Sequence, residues 1–411
     1  MRQEVEDAAR RIADGESFYR NPCFYVYDLG IVGSKLDHLQ EHLPGNVSLY
    51  YAMKANPTRQ ILSTMRGHPY VKGIEIASLG EYERAREFFE PDEIIFTGPG
   101  KIPFELQRVV KDRIRLLNIE SLTEASRVSQ IAGESKVGDV DVLVRLNVDY
   151  KHADAHTHMA GTSSKFGIDE SKIEEVFPMI SDLRGLRLRG FHVFSGSGVL
   201  DYIGLTRYTD YVFGLVSRLE RVLGTQSDII DFGGGFGIDY SGKGRKLNIS
   251  KFGIELERLI DQYGYFGKEL ILELGRYVVG ESGHYVTEIV DIKESGGKKH
   301  IITAGGINHQ RRPCATEMNH PVSIVPMMRP KVYKNQHYVD DETVDIGGPL
   351  CLSADILGVG IHIPHAEIGD LVSVGQSGAY GLSMAAINFL SHPIAPEYFI
   401  DKSGNLMNVE D

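Results

Sequence analysis

The chain has 411 residues, of which 42% are hydrophobic and 24% charged, and it carries a formal net charge of −12 at pH 7. That length accommodates two or three domains, and that composition accommodates a large apolar core. The acidic balance argues against non-specific binding of nucleic acid but leaves room for a small anion held locally, and no run of roughly 18 apolar residues exists to span a membrane.

Residues Met1 to Arg20 are charged and helical in pattern and lack the apolar centre of a signal peptide. Cys23, Cys314 and Cys351 are odd in number and far apart, which suits a reducing compartment and forms no metal-ligand cluster. The expected location is the cytoplasm, and no metal is expected.

Asn21 to Asp28 reads as a strand isolated from the alternation that comes after it. A rhythm then begins, with apolar, β-branched-rich runs at Leu49–Ala55, Gly73–Ser78, Glu93–Gly98, Leu116–Glu120, Asp141–Asn147, Arg189–Ser195, Ile229–Gly233 and Glu269–Gly275. Amphipathic stretches such as Gly80–Phe89 and Ser121–Ile131 separate them. Eight strands with a helix-sized gap after each of the first seven predict an α/β fold of the (β/α)8 type over residues 29–279. A doubly wound open sheet is the competing architecture.

Past Val279 the helical periodicity fades. Short runs at His284–Ile292, His300–Ala304, Glu342–Ile346, Asp370–Val374 and Glu397–Ile400 alternate with Gly, Pro and Asn clusters. They predict an antiparallel, barrel-like β domain over 280–411, which the strand within residues 1–28 could join.

Three stretches carry chemistry. Val47 to Pro57 ends an apolar run in Lys54, and Pro57 keeps Asn56 out of helical geometry. One reading of Lys54 is an amine kept nucleophilic by desolvation and fit for a Schiff base; the other is a lysine that snorkels past the strand end. The seventh strand ends Asp231-Phe-Gly-Gly-Gly-Phe-Gly237, where consecutive glycines either let N–H groups approach a phosphate or merely make a tight turn. The eighth ends Glu273-Leu-Gly-Arg276, where Gly275 admits a close backbone and Arg276 offers a fork for phosphate; a Glu–Arg ion pair is the alternative. In a barrel, catalytic groups gather at strand carboxyl ends and phosphate at the last two loops. An amine, a phosphate cradle and a carboxylate there fit pyridoxal 5'-phosphate (PLP).

The same residues resemble a family. Tyr-Tyr-Ala-Met-Lys-Ala-Asn (50–56), Glu-Ile-Ala-Ser-Leu-Gly-Glu (75–81), Asp-Ala-His-Thr-His (154–158), Ser-Lys-Phe-Gly-Ile (164–168), Gly-Gly-Gly-Phe-Gly (233–237), Glu-Leu-Gly-Arg (273–276), Gly-Pro-Leu-Cys-Leu-Ser-Ala-Asp (348–355) and Gly-Ala-Tyr-Gly (378–381) occur in the order found in the alanine-racemase-fold PLP decarboxylases. These include the ornithine, arginine and diaminopimelate decarboxylases. The resemblance implies that Lys54 carries PLP, that Ser197, Gly234, Gly235, Arg276 and Tyr380 hold its phosphate, and that Gly275 is among the cofactor-binding residues. It implies that Glu273 pairs with the pyridine nitrogen. It further implies that Cys351 reprotonates the carbanion from a partner subunit in a head-to-tail homodimer.

Departures from the family pattern bear on the substrate. The histidine expected over the cofactor ring is Phe194, and His192 lies two residues earlier on the same strand face. The acid expected after Cys351 to read a distal amine is Leu352, which accepts no ammonium. Arg312 matches the residue for a distal carboxylate, or else pairs with a protein carboxylate, and Thr316 stands where a tyrosine is expected. His158-Met-Ala-Gly161, Asn319-His-Pro321 and Phe389-Leu-Ser-His-Pro393 are similar to siderophore- and antibiotic-assembly members, one class of which acts on citryl-diaminopropionate. Arg311, His309, His320, His158 and Asp355 are candidate substrate contacts. Diaminopimelate decarboxylase, a racemase and a catalytically silent regulatory homologue are the other readings.

Overall fold

The computed structural model describes residues 1–150, 164–327 and 338–407, together with the backbone of 157–158. Two compact units result. One comprises Lys35–Ile238 and Lys246–Tyr277; the other comprises Met1–Ser34, Asp239–Arg245 and Val278–Asp411.

The first unit is a closed parallel barrel. Its strands are Val47–Ala52, Val71–Ile76, Ile94–Phe96, Leu116–Ile119, Val140–Asn147, Leu186–Val193, Ile229–Gly234 and Glu269–Leu274. Each pairs with the next, and the last closes on the first with Glu273 opposite Tyr50 and Leu274 opposite Tyr51. Tyr50, Ile95, Leu116, Leu143, Ile229 and Ile271, all from these strands, form a buried apolar cluster. The packed interior explains why these runs read as continuous apolar segments rather than as alternation.

The intervening helices start and stop where local chemistry directs. Ser78, Ser121, Asp201 and Asn248 cap the N-termini of Leu79–Ala85, Leu122–Ser135, Tyr202–Leu223 and Ile249–Tyr263 with side-chain oxygens. Gly224 and Gly264 end the last two in left-handed geometry. The helix expected over Gly80–Phe89 stops at Ala85, and Arg86, Glu87 and Phe89 close it with turn hydrogen bonds.

Among the described residues the second unit holds eight strands: Cys23–Asp28, Gly283–Ser295, Lys298–Thr303, Val322–Val325, Val339–Gly347, Ile356–Ala366, Leu371–Val374 and Glu397–Ile400. The early strand joins as expected, pairing Tyr25 with Tyr285. The sheet is mixed rather than antiparallel throughout. Cys23–Asp28 runs parallel to Glu397–Ile400, and Lys298–Thr303 runs parallel to Val339–Gly347. Neither pair is joined by a hairpin, so no turn dictates direction. Two strands escaped the sequence reading: Val322–Val325 is short, and Ile356–Ala366 is an edge strand interrupted by Gly358, Gly360 and Pro364. The helix Gln3–Ala13 lays Val5, Ala8, Ala9 and Ile12 on Phe24, Val26, Val286 and Leu371. Among the described residues no helix is long and apolar enough to cross a membrane.

Candidate active site

Lys54 lies just past the first barrel strand, in a single 3-10 turn, Met53–Ala55, whose flanking residues are buried. Tyr51 pins the turn by donating its hydroxyl to the Asn56 carbonyl, 2.9 Å. The lysine side chain is 42% exposed and its Nζ donates to Glu75 Oε2, a carboxylate that is 1% exposed. This corrects the expectation that desolvation would activate the amine. The lysine is half in solvent, and a buried acid is its partner. Glu75 stands at the carboxyl end of the second strand. Burial pushes its carboxyl up to about 7, against the pull of Lys54 and with the help of Glu273.

Glycines bring the neighbouring turns into line with the lysine. A Cβ on Gly275 would lie 2.7 Å from the Ala55 Cβ and 3.0 Å from the Ala52 carbonyl, so the Arg276 turn passes directly beside the Lys54 turn. A Cβ on Gly234 would lie 2.0 Å from the Glu273 carbonyl oxygen. Gly235, at φ +85°, would place one 2.5 Å from the Gly196 carbonyl. The Gly235 carbonyl in turn accepts from the N–H groups of Gly198 and Val199, at 2.9 and 3.0 Å. The glycine run is therefore a required tight turn, and that turn sets the backbone of Gly234 and Gly235 beside Ser197 and Glu273.

Three ionisable groups meet under this rim. His192, Asp231 and Glu273, from the sixth, seventh and eighth strands, place ligand-type atoms within 4.8 Å of one another. His192 Nε2 lies 3.6 Å from Glu273 Oε2, and Thr97 donates to Glu273 Oε1 at 3.4 Å. Burial pushes Glu273 up, but His192, Lys54 and Asp231 outweigh it and hold the carboxyl below the usual range. Asp231 moves the other way: burial and the Glu273 charge keep it well above the usual range. Burial lowers His192, against the pull of the Glu273 carboxylate.

His192 and Phe194 differ in burial. His192 is fully buried and faces Glu273. Phe194 is half-buried, with its ring over Gly233, 2.7 Å from where a Cβ would stand.

A second buried network supports the barrel mouth. Lys101 Nζ donates to the carbonyls of Gly98 and Asn118 and to Glu124 Oε1, at 2.6, 2.7 and 2.7 Å. Arg145 donates to Glu120 Oε1 at 2.7 Å, and Glu120 Oε2 accepts from the Gly167 N–H at 3.0 Å. Sequence reasoning missed Glu75, Asp231, Thr97 and this network. The available signal was their common position at or just beyond strand carboxyl ends.

The remaining candidates belong to the β unit. Cys351 is an exposed free thiol. Its loop is fastened by Asp355, which is 4% exposed; Oδ1 accepts from the Ile307 N–H and Oδ2 from the Leu350 N–H, both at 2.7 Å. With each oxygen engaged by backbone, Asp355 has the geometry of a clamp rather than of a substrate contact. Tyr380 sits at φ +56°, two residues past Gly378, whose N–H donates to the Gly280 carbonyl at 3.1 Å. Arg312 lays its guanidinium 4.5 Å from the Tyr240 ring, and Tyr240 packs on His320. His320 and His309 are each 2% exposed. Tyr285 and the Pro393 carbonyl engage both ring nitrogens of His309. His320 Nδ1 contacts the Gly375 carbonyl. Both are core histidines, contrary to the expectation that they contact substrate. The 154–158 and 158–161 stretches lie outside the described residues, apart from the backbone of 157–158, so the His158 side chain does as well.

The half-exposed amine, the glycine cradle, the fork of Arg276 and the buried carboxylate fit PLP, and the His192 nitrogens find no hydrogen-bond partner among the described residues. A family model for the pyridoxal-binding domain of pyridoxal-dependent decarboxylases matches residues 29–280. The chain belongs to the pyridoxal-dependent decarboxylases. It is therefore a PLP-dependent amino-acid decarboxylase. It is 32% identical, over 92% of its length and 93% of the relative's, to a 2-[(L-alanin-3-ylcarbamoyl)methyl]-2-hydroxybutanedioate decarboxylase of Staphylococcus aureus. It is 30% identical to an L-glutamyl-[BtrI acyl-carrier protein] decarboxylase of Niallia circulans, over 93% of this chain and 89% of the relative. The crystal structure of diaminopimelate decarboxylase from Helicobacter pylori with L-lysine superposes with a TM-score of 0.82 at 26% identity, covering 94% of this chain and 92% of that one.

Proposed function

We propose that this decarboxylase acts on a modified amino acid: an α-amino-acid headgroup whose far end is an amide- or ester-linked anionic group, as in a citryl-diaminopropionate of siderophore assembly. The observation that carries the reading is Leu352. It follows Cys351, is 44% exposed, and presents no polar atom to a free distal ammonium. Two relatives of at least 30% identity act on substrates that agree: one joins an alanine headgroup through an amide to a hydroxybutanedioate, and the other carries glutamate on a carrier protein.

In this reading Lys54 Nζ holds PLP and yields it to the substrate amine. Gly234, Gly235, Ser197, Arg276 and Tyr380 bind the phosphate, Phe194 covers the ring, and Glu273 pairs with the ring nitrogen. PLP supplies an electron sink for the pair left when the α-carboxylate departs as CO2. Cys351 returns a proton to Cα, and Arg312 receives the distal carboxylate. The active unit is a cytoplasmic homodimer in which Cys351 comes from the partner. The barrel spans 29–279, the β domain 280–411, and residues 1–28 complete the latter.

The deciding experiment measures CO2 release from citryl-diaminopropionate, diaminopimelate, lysine, ornithine and arginine. The citryl conjugate is expected to be turned over with the highest kcat/KM. Preferred turnover of meso-diaminopimelate would overturn the substrate assignment. Lys54→Ala should abolish both the visible absorbance of bound PLP and turnover; retention of both would overturn the role of Lys54.

A further inference from the structure

We propose that Asp231 is a positioning residue that works as a neutral carboxylic acid: its hydroxyl donates to Glu273 and keeps that carboxylate ionised and fixed toward the cofactor's ring nitrogen. The inference deepens the Glu273 assignment above and rests on it.

Asp231 is completely buried on the seventh strand. Its Oδ1 accepts the Gly233 N–H at 2.9 Å. Its Oδ2 is buried and finds no hydrogen-bond partner among the described residues, and a carboxyl oxygen of Asp231 lies within 4.8 Å of one of Glu273. Two carboxylates offer each other only lone pairs. A bond between them exists only when one carries a proton, and a buried pair so close cannot hold two charges.

The surroundings decide which oxygen carries it. Glu273 has the Thr97 hydroxyl, the His192 ring and the positive charge of Lys54 acting on it. Asp231 has only the Gly233 N–H in its favour, while Glu273 and Glu75 both oppose its ionisation. The buried cation Arg145 is engaged by Glu120. The proton therefore resides on Asp231, and Glu273 remains the anion. Environments that push two carboxyl groups apart in this way mark different roles for the two.

Asparagine is the isostere of this neutral acid. In Asp231→Asn, Oδ1 still accepts from Gly233 and Nδ2 donates to Glu273. Asp231→Leu keeps similar bulk and removes both functions. PLP affinity and the pH dependence of the cofactor absorbance are measured for wild type and both variants, alongside infrared spectra of PLP-free protein at pH 8. Wild type should show the carbonyl stretch of a protonated carboxylic acid, and the band should vanish in Asp231→Asn. The asparagine variant should match wild type in PLP affinity and absorbance. The leucine variant should lose roughly 10- to 100-fold in affinity, the loss expected for one hydrogen bond to a charged group.

Absence of the infrared band, or an asparagine variant impaired as much as the leucine variant, would overturn the proposal. If the leucine variant does not fold, the band and the asparagine comparison still decide it. Glu273→Gln separates the two inferences: unchanged PLP affinity and absorbance there would remove the ring-nitrogen role of Glu273, while the infrared band still reports the proton on Asp231.

Discussion

The contact between Lys54 and Glu75 predicts how the PLP-free protein responds to pH. Glu75 is 1% exposed, and burial raises it from an ordinary 4.5 to about 7. Between those values the folded protein binds a proton that the unfolded chain has released. The associated stability is complete below pH 4.5 and is lost as pH rises through 7. At about 1.4 kcal/mol per pH unit, the interval is worth roughly 3 kcal/mol. Glu75→Gln replaces the group with a neutral one that has no proton to lose, and the half-exposed Lys54 can turn to water. The variant should therefore gain stability relative to wild type as pH climbs from about 5 to about 8. For a chain of 411 residues the difference corresponds to about 3–4 °C in Tm at about pH 8. Thermal unfolding of both proteins, stripped of PLP, across that range is the assay. Parallel stability curves for wild type and Glu75→Gln would refute the reasoning.

Further expectations concern the cradle, its support and the substrate. Gly234→Ala puts a Cβ 2.0 Å from the Glu273 carbonyl oxygen, an overpacking that costs about 1–3 kcal/mol or more; PLP affinity followed by absorbance should fall, and an unchanged affinity would contradict the packing account. Lys101→Met strands the Glu124 carboxylate and should cost roughly 3–5 kcal/mol in denaturant unfolding, with most of the loss restored by adding Glu124→Leu. Asp355→Ala leaves the Ile307 and Leu350 N–H groups without an acceptor at about 1–3 kcal/mol each, so kcat should fall with stability as the Cys351 loop loosens. Leu352→Glu should raise kcat/KM for diaminopimelate relative to a citryl conjugate, and an unchanged ratio would detach that position from specificity.

The sequence by itself determined the barrel and much of the rim. Eight apolar runs with helical intervals, Lys54 after the first and glycines after the seventh are local patterns, set by periodicity and by the steric demands of single residues. It could not say that Glu75 partners Lys54 across 21 positions, or that Asp231 and His192 converge on Glu273, because such pairings depend on strand register and barrel closure. Nor could it tell Asp355, His309 and His320 from ligand contacts. A carboxylate or imidazole reads the same in a string whether its partner is a substrate or a backbone N–H, and only packing reveals which atoms are already engaged. The strand Ile356–Ala366 stayed hidden for a related reason, since its glycines and proline are tolerated only on an edge that the tertiary pairing creates.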